Sequence, residues 1–149
     1  MRRIFTQTIV ALPNTIDVNG HVNNLVYLQW MQDVATAHSA AQGWDRARYE
    51  QTRSSWVIRS HQIEYLRPAL LNEQILLATW IVRFEHVQSP RRYLFLRQHD
   101  RKILARAETL WVYVDATIGR PAPIPAIFQA DFELVSDSEV LHELGVPAN

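Results

Sequence analysis

No cysteine occurs in this chain of 149 residues, which excludes disulfides, thiolate catalysis and cysteine-based metal sites while leaving the compartment open. Charge of one sign is equally absent. Fifteen Lys and Arg balance fifteen Asp and Glu, for a formal net charge of zero at pH 7, so no global field draws nucleic acid or anionic lipid to the surface. An anionic ligand has to be held by local groups. No apolar run approaches the roughly 20 residues needed to cross a bilayer. After Met1-Arg2-Arg3-Ile4-Phe5, the polar Thr6, Gln7 and Thr8 interrupt any apolar leader core, and a cytoplasmic protein without a membrane partner is expected. The histidines at 21, 38, 61, 86, 99 and 142 have no short ligand spacing, so neither a metal nor another cofactor is implied. A Gly-x-Ser-x-Gly elbow, a P-loop, internal repeats and low-complexity linkers are all missing.

What is there is enough apolar sequence for one compact domain over residues 1–149, which at this length buries about two-thirds of its unfolded surface. Residues 3–12 read as a strand closed by Pro13-Asn14. Residues 24–42 read as a long, mostly apolar helix stopped by Gly43, with Val26, Trp30, Val34, Ala37 and Ala41 on the inward face and Gln29, Gln32, Asp33 and Thr36 opposite. Residues 44–51 suit a short helix or ordered loop. Four strand-like segments follow at 56–66, 74–85, 92–100 and 103–116, separated by turn signals including Ser89-Pro90 and Asp100-Arg101-Lys102. Their short connections favour antiparallel pairing, since a parallel crossover needs a dozen residues or more. Three prolines between 119 and 125 predict an extended path without a ladder. The acidic tail with Asp131, Glu133, Asp137 and Glu139 is expected to end in a short helix.

The chemistry concentrates in Ile16-Asp17-Val18-Asn19-Gly20-His21-Val22-Asn23-Asn24. This run sets a carboxylate, an amide and an imidazole just ahead of a helix. Asn23 or Asn24 can cap that helix, leaving first-turn N–H groups that face outward beside the positive end of the macrodipole. A carbonyl oxygen held there is stabilised as negative charge develops on it. Each residue has a plainer reading as well: Asp17 and Asn19-Gly20 as turn formers, His21 as a structural histidine.

The run resembles the hotdog-fold thioesterases, the family of 4-hydroxybenzoyl-CoA thioesterase and the plant acyl-ACP thioesterases. Asp17, Gly20, Tyr27 and Trp30 follow the order of the 4-hydroxybenzoyl-CoA type. There an aspartate before the long helix attacks or activates water and a helix-start amide forms the oxyanion hole, which implies Asp17 and the Asn24 N–H here. Asp17, Asn19 and His21 follow the acyl-ACP type, and Ile63-Glu64-Tyr65-Leu66-Arg67-Pro68 is similar to the stretch where that branch carries a functional glutamate, implying Glu64. The likeness spans residues 8–125. His21 stands where the 4-hydroxybenzoyl-CoA type has an apolar residue, so that aromatic substrate is not carried over. The resemblance implies an α+β hotdog fold, with an antiparallel sheet of about five strands wrapped around one long central helix. It also implies an acyl-CoA or acyl-ACP thioesterase of fatty acid metabolism that assembles as a homodimer or homotetramer. Unpaired sheet edges and the lack of net charge agree with self-association. A hydratase or dehydratase acting on 3-hydroxyacyl or enoyl thioesters and a non-enzymatic acyl-CoA binding module are the alternatives.

Several other groups carry expectations. Glu64 also suits a solvated strand face; Asp33 belongs with the polar stripe of the helix, and His38 with the core or a pocket. Arg91, Arg92, Arg97, Arg101 and Lys102 are expected along a surface edge, where a local cluster can hold CoA phosphates. The pocket is expected beside Trp30 and Met31, to favour apolar acyl groups, and to hold few charged partners for a polar tail. Trp30, Trp56, Trp80 and Trp111 are read mainly as core.

Overall fold

The structure, a computed structural model, describes residues 3–147. Strand β1 (Phe5–Val10) leads through a 3-10 turn (Pro13–Thr15) to the long helix α1 (Asn24–Ala41) and the short α2 (Arg46–Thr52). Strands β2 (Ser54–Tyr65), β3 (Gln74–Ile81), β4 (Gln88–Arg97) and β5 (Ile103–Asp115) follow, then β6 (Arg120–Pro121), α3 (Ala126–Ala130) and α4 (Asp137–Glu143). All pairings are antiparallel, in the order β1-β3-β4-β5-β2 with β6 added to β5. The helix inside a curled sheet that the resemblance implied is therefore present.

α1 starts where Asn23 caps it: the Asn23 Oδ1 accepts the Leu25 N–H at 2.9 Å. It stops where Gly43 takes a φ of 92° that a side chain would strain. Its buried face is Tyr27, Met31, Val34, Ala35 and His38, one position round from the face expected at Val26, Trp30, Ala37 and Ala41. In so apolar a helix almost any register offers a hydrophobic stripe, and the sheet selects the one with the larger residues. Tyr27, Met31, Val34 and Ala35 pack on Ile75, Leu77, Tyr93, Phe95 and Leu104. Each fully buried large side chain contributes about 1.5–3 kcal/mol.

Ser89 and Pro90 are not a turn. Both lie in β4, and the chain reverses at His86-Val87, where His86 has φ 54° and Glu85 and Gln88 exchange backbone hydrogen bonds of 2.7 and 2.9 Å. Pro90 is tolerated because it sits just past the end of β3, where its carbonyl still accepts the Val82 N–H. The proline-rich segment does make one short ladder, with Arg120 and Pro121 opposite Asp115 and Val114, before Pro123 and Pro125 end it.

The acidic tail covers the outer face of the sheet. Val135 and Val140 pack on Ala78, Trp80, Leu94 and Leu96. The Asp137 carboxylate, at the start of α4, accepts from the Trp80 Nε1 at 3.1 Å and from the Arg92 Nη1 at 2.5 Å. Among the described residues, no helix is long and apolar enough to cross a membrane.

Candidate active site

The loop before α1 is held in place largely by backbone bonds. Ile16 bridges Val22, and His21 bridges Leu70 in the β2–β3 connection. The Asp17 N–H donates to the His21 carbonyl at 2.9 Å, and the Gly20 N–H donates to the Asp17 carbonyl at 3.0 Å. This tight path needs φ 83° at position 20, which glycine supplies.

Inside the loop, the Asn19 N–H donates to the Asp17 Oδ1 at 2.9 Å. Asn19 thus orients the carboxylate through its backbone, and its side chain is exposed. The His21 Nδ1 lies 3.9 Å from the Asp17 Oδ1, with the two side chains 37% and 19% exposed. Carboxylate and imidazole therefore share one partly open corner.

At the helix start, Asn23 closes two of the first-turn donors, taking the Leu25 N–H on its side chain and the Val26 N–H on its carbonyl at 3.0 Å. The Asn24 N–H has no partner among the described residues. The Tyr65 hydroxyl donates to the Asn24 carbonyl at 3.0 Å and ties the end of β2 to this corner. Burial pushes the neighbouring Tyr27 hydroxyl up to about 12, so it stays protonated and cannot act as a base near neutrality.

Asp17, Asn19, His21 and Asn24 are thus brought together. Glu64 is not. Tyr65 points toward Tyr27 under the helix, and the alternation of the strand turns Glu64 to the opposite face, where it pairs with Arg106 at 2.7 Å. Asp33 is exposed and accepts from the Gln29 Nε2 at 2.9 Å, as the polar stripe implied.

The basic cluster is dispersed. Arg92 is engaged by Glu108 and Asp137, and Arg97 by Glu73 and Asp100. Arg91 is not on a surface edge: it is buried under α1, bonded to His38 and Thr79. Among the described residues, no group of His, Asp or Glu side chains is placed to hold a metal ion.

A cavity of about 680 Å³ opens at the other end of α1, lined by Ala35 and Ser39 of the helix, by Trp44, Tyr49, Trp56 and Phe128, and by Arg91. It is not beside Trp30 and Met31. Met31 is fully buried, and Trp30 packs on Tyr27 and Phe95. Arg91 in its wall, with the exposed Asp45, Arg46, Glu50 and Arg53 also lining it, departs from the expectation of few charged partners. In sequence the signal was the even spacing of Ser89, Arg91, Tyr93 and Phe95, which puts Arg91 on the helix side of β4. Ala35 lies eleven residues beyond Asn24, about 16 Å along the axis at 1.5 Å per residue. The loop and the cavity of one chain are therefore separate features.

A curled antiparallel sheet around one long helix is the hotdog architecture. The chain belongs to the thioesterase-like superfamily, whose family model matches residues 11–132. Among curated proteins it is 28% identical over 125 residues to the L-carnitine dehydrogenase/betainyl-CoA thioesterase of Rhizobium meliloti, covering 82% of this chain and 24% of that protein. It thus spans about a quarter of that relative's length. Its fold is similar to a 1,4-dihydroxy-2-naphthoyl-CoA thioesterase from Synechocystis, with TM-score 0.78 and 18% identity over 86% of this chain and 94% of the other. It is also similar to a Staphylococcus aureus protein solved in complex with CoA, with TM-score 0.81 and 15% identity over 100% of this chain and 89% of the other.

Proposed function

We propose that this chain, acting as a single domain, hydrolyses acyl thioesters of CoA to a free acid and a thiol, with thioesters of acyl carrier protein as the second substrate class. The observation that carries the reading is the Asp17 carboxylate held in the loop that leads into an unpartnered helix-start N–H. Asp17 attacks the thioester carbonyl or takes a proton from the attacking water. The Asn24 N–H and the helix dipole receive the oxyanion. His21 polarises the carbonyl or positions water, and Asn19 holds Asp17 in its rotamer. Collapse expels the thiolate, a good leaving group without a strong acid because thiols such as cysteine have a pKa of about 8.5. Where water attacked, this forms the acid directly; where Asp17 attacked, water then hydrolyses the mixed anhydride on Asp17 to release the acid and restore the carboxylate. The reading includes a cytoplasmic setting, where such thioesters circulate. Glu64 has only its ion pair with Arg106 in this scheme.

The test is thiol release from a panel of acyl-CoAs by the purified chain, with acid and thiol formed in equal amounts. Interconversion of enoyl and 3-hydroxyacyl groups without thiol points to a hydratase. Thermal stabilisation by acyl-CoA without turnover points to a binding module.

The proposal includes a homodimer. β2 is an edge strand of 12 residues with Val57 47% exposed. Antiparallel pairing of two β2 strands makes one continuous sheet and satisfies both edges. In one chain, the N-terminus of α1 meets the end of β2 at Tyr65, while the cavity meets its beginning at Ser54 and Trp56. The two-fold operation therefore sets Asp17 of one copy beside the cavity of the other and joins the two halves of the site. Sedimentation at micromolar concentration should give at least twice the 17.3 kDa monomer mass. An active 17 kDa monomer would overturn the shared-site arrangement.

A further inference from the structure

Arg91 is 5% exposed, yet it forms part of the cavity wall. Its Nη1 donates to the His38 Nδ1 at 2.8 Å and to the Thr79 Oγ1 at 3.1 Å. A guanidinium has no lone pair to offer, so His38 must accept through Nδ1. That imidazole is therefore neutral and carries its proton on Nε2. Both partners of Arg91 are uncharged, and Tyr93 and Tyr49, whose hydroxyls also act on it, are neutral near pH 7. Among the described residues, no carboxylate pairs with it. Asp45 and Glu50 also line the cavity, but at its exposed mouth, where Asp45 accepts the Arg48 N–H that caps α2 and Glu50 pairs with Arg46.

A full positive charge thus lies buried in the cavity wall with no paired anion among the described residues, a costly arrangement unless something else supplies one. The guanidinium fork matches a carboxylate in geometry and forms charge-assisted bonds with it. Around it, the rings of Trp44, Tyr49, Trp56 and Phe128 suit methylene groups rather than a hydrated head.

We propose that the cavity seats an acyl chain ending in a carboxylate, which Arg91 binds, so that the preferred substrates are thioesters of dicarboxylic acids. This inference rests on the thioesterase reading. It separates this chain from the group named in its Rhizobium meliloti relative. A betainyl group carries a quaternary ammonium, which ring faces accommodate but which Arg91 repels.

The test compares kcat/KM for glutaryl- and adipyl-CoA with pentanoyl-, hexanoyl- and betainyl-CoA. Wild type should favour the dicarboxylyl thioesters over the length-matched neutral ones by roughly 10- to 100-fold, the range for a buried hydrogen bond to a charged group. Arg91→Gln should lose that ratio, and Arg91→Lys should keep part of it. Equal or better use of neutral or betainyl substrates by wild type overturns the inference, as does a ratio that survives in Arg91→Gln. If Arg91→Gln does not fold, the wild-type ratio and Arg91→Lys decide. If no acyl-CoA releases thiol, the thioesterase reading fails by itself. The cavity is then tested by thermal stabilisation of wild type with glutarate, reduced in Arg91→Lys; no stabilisation overturns the inference.

Discussion

Asp17→Asn is expected to lower kcat for acyl-CoA hydrolysis by about 10³-fold, the middle of the range for removing a positioned general base. The substitution is close to isosteric and spares the loop. The Asp17 Oδ1 accepts the Asn19 N–H at 2.9 Å, and a side-chain amide oxygen accepts the same bond, so the turn and the bridge of His21 to Leu70 persist. What disappears is the anionic oxygen, both as nucleophile and as proton acceptor, together with the charge 3.9 Å from the His21 Nδ1. Circular dichroism and melting temperature should stay near wild type while thiol release collapses. A well-folded variant retaining most of its turnover would remove Asp17 from the mechanism and leave His21 as the base to examine.

The features read correctly in sequence were those in which one local cause outweighs the rest. α1 is bounded by an asparagine cap and by Gly43, both set within a few residues of the chain, so its limits were legible. The loop from Ile16 to Asn23 was legible as a unit because Asp17, Gly20 and His21 bond to one another across four positions. Features that depend on distant partners were not. The inward face of α1 is chosen by Leu77, Tyr93 and Phe95, none of which a periodicity count along α1 can include. Arg91 was grouped with Arg92 because charge predicts exposure, yet adjacent strand residues point to opposite faces, one under His38 and one toward Asp137. Glu64 turned away for a related reason. The register of β2 shifts between Ile58 and Ser60, and beyond that irregularity His61 faces Thr109 and Tyr65 faces Tyr27, which leaves Glu64 on the outer side. The cavity draws on several elements between α1 and α3, and no single segment announces it.

Asn24→Pro isolates the other half of the proposed chemistry, because it deletes one hydrogen atom's worth of function and almost nothing of the fold. Position 24 is the first residue of α1, the place where proline is favoured since the missing N–H has no intrahelical acceptor. The preceding Asn23 already has φ −61° and ψ 137°, the extended geometry that a following proline demands. The Asn23 cap bonds to Leu25 and Val26 do not involve the Asn24 nitrogen, and the Asn24 carbonyl remains available to the Tyr65 hydroxyl. The helix should therefore form as before, and the melting temperature should hold or rise slightly. Loss of a single oxyanion donor costs about 10²- to 10³-fold in kcat, and that is the expected fall for Asn24→Pro. The loss should appear in kcat with KM little changed, because the bond strengthens only as the carbonyl oxygen gains charge. Unimpaired turnover in a folded Asn24→Pro variant would mean that the oxyanion is held elsewhere and that the helix start is only a structural cap.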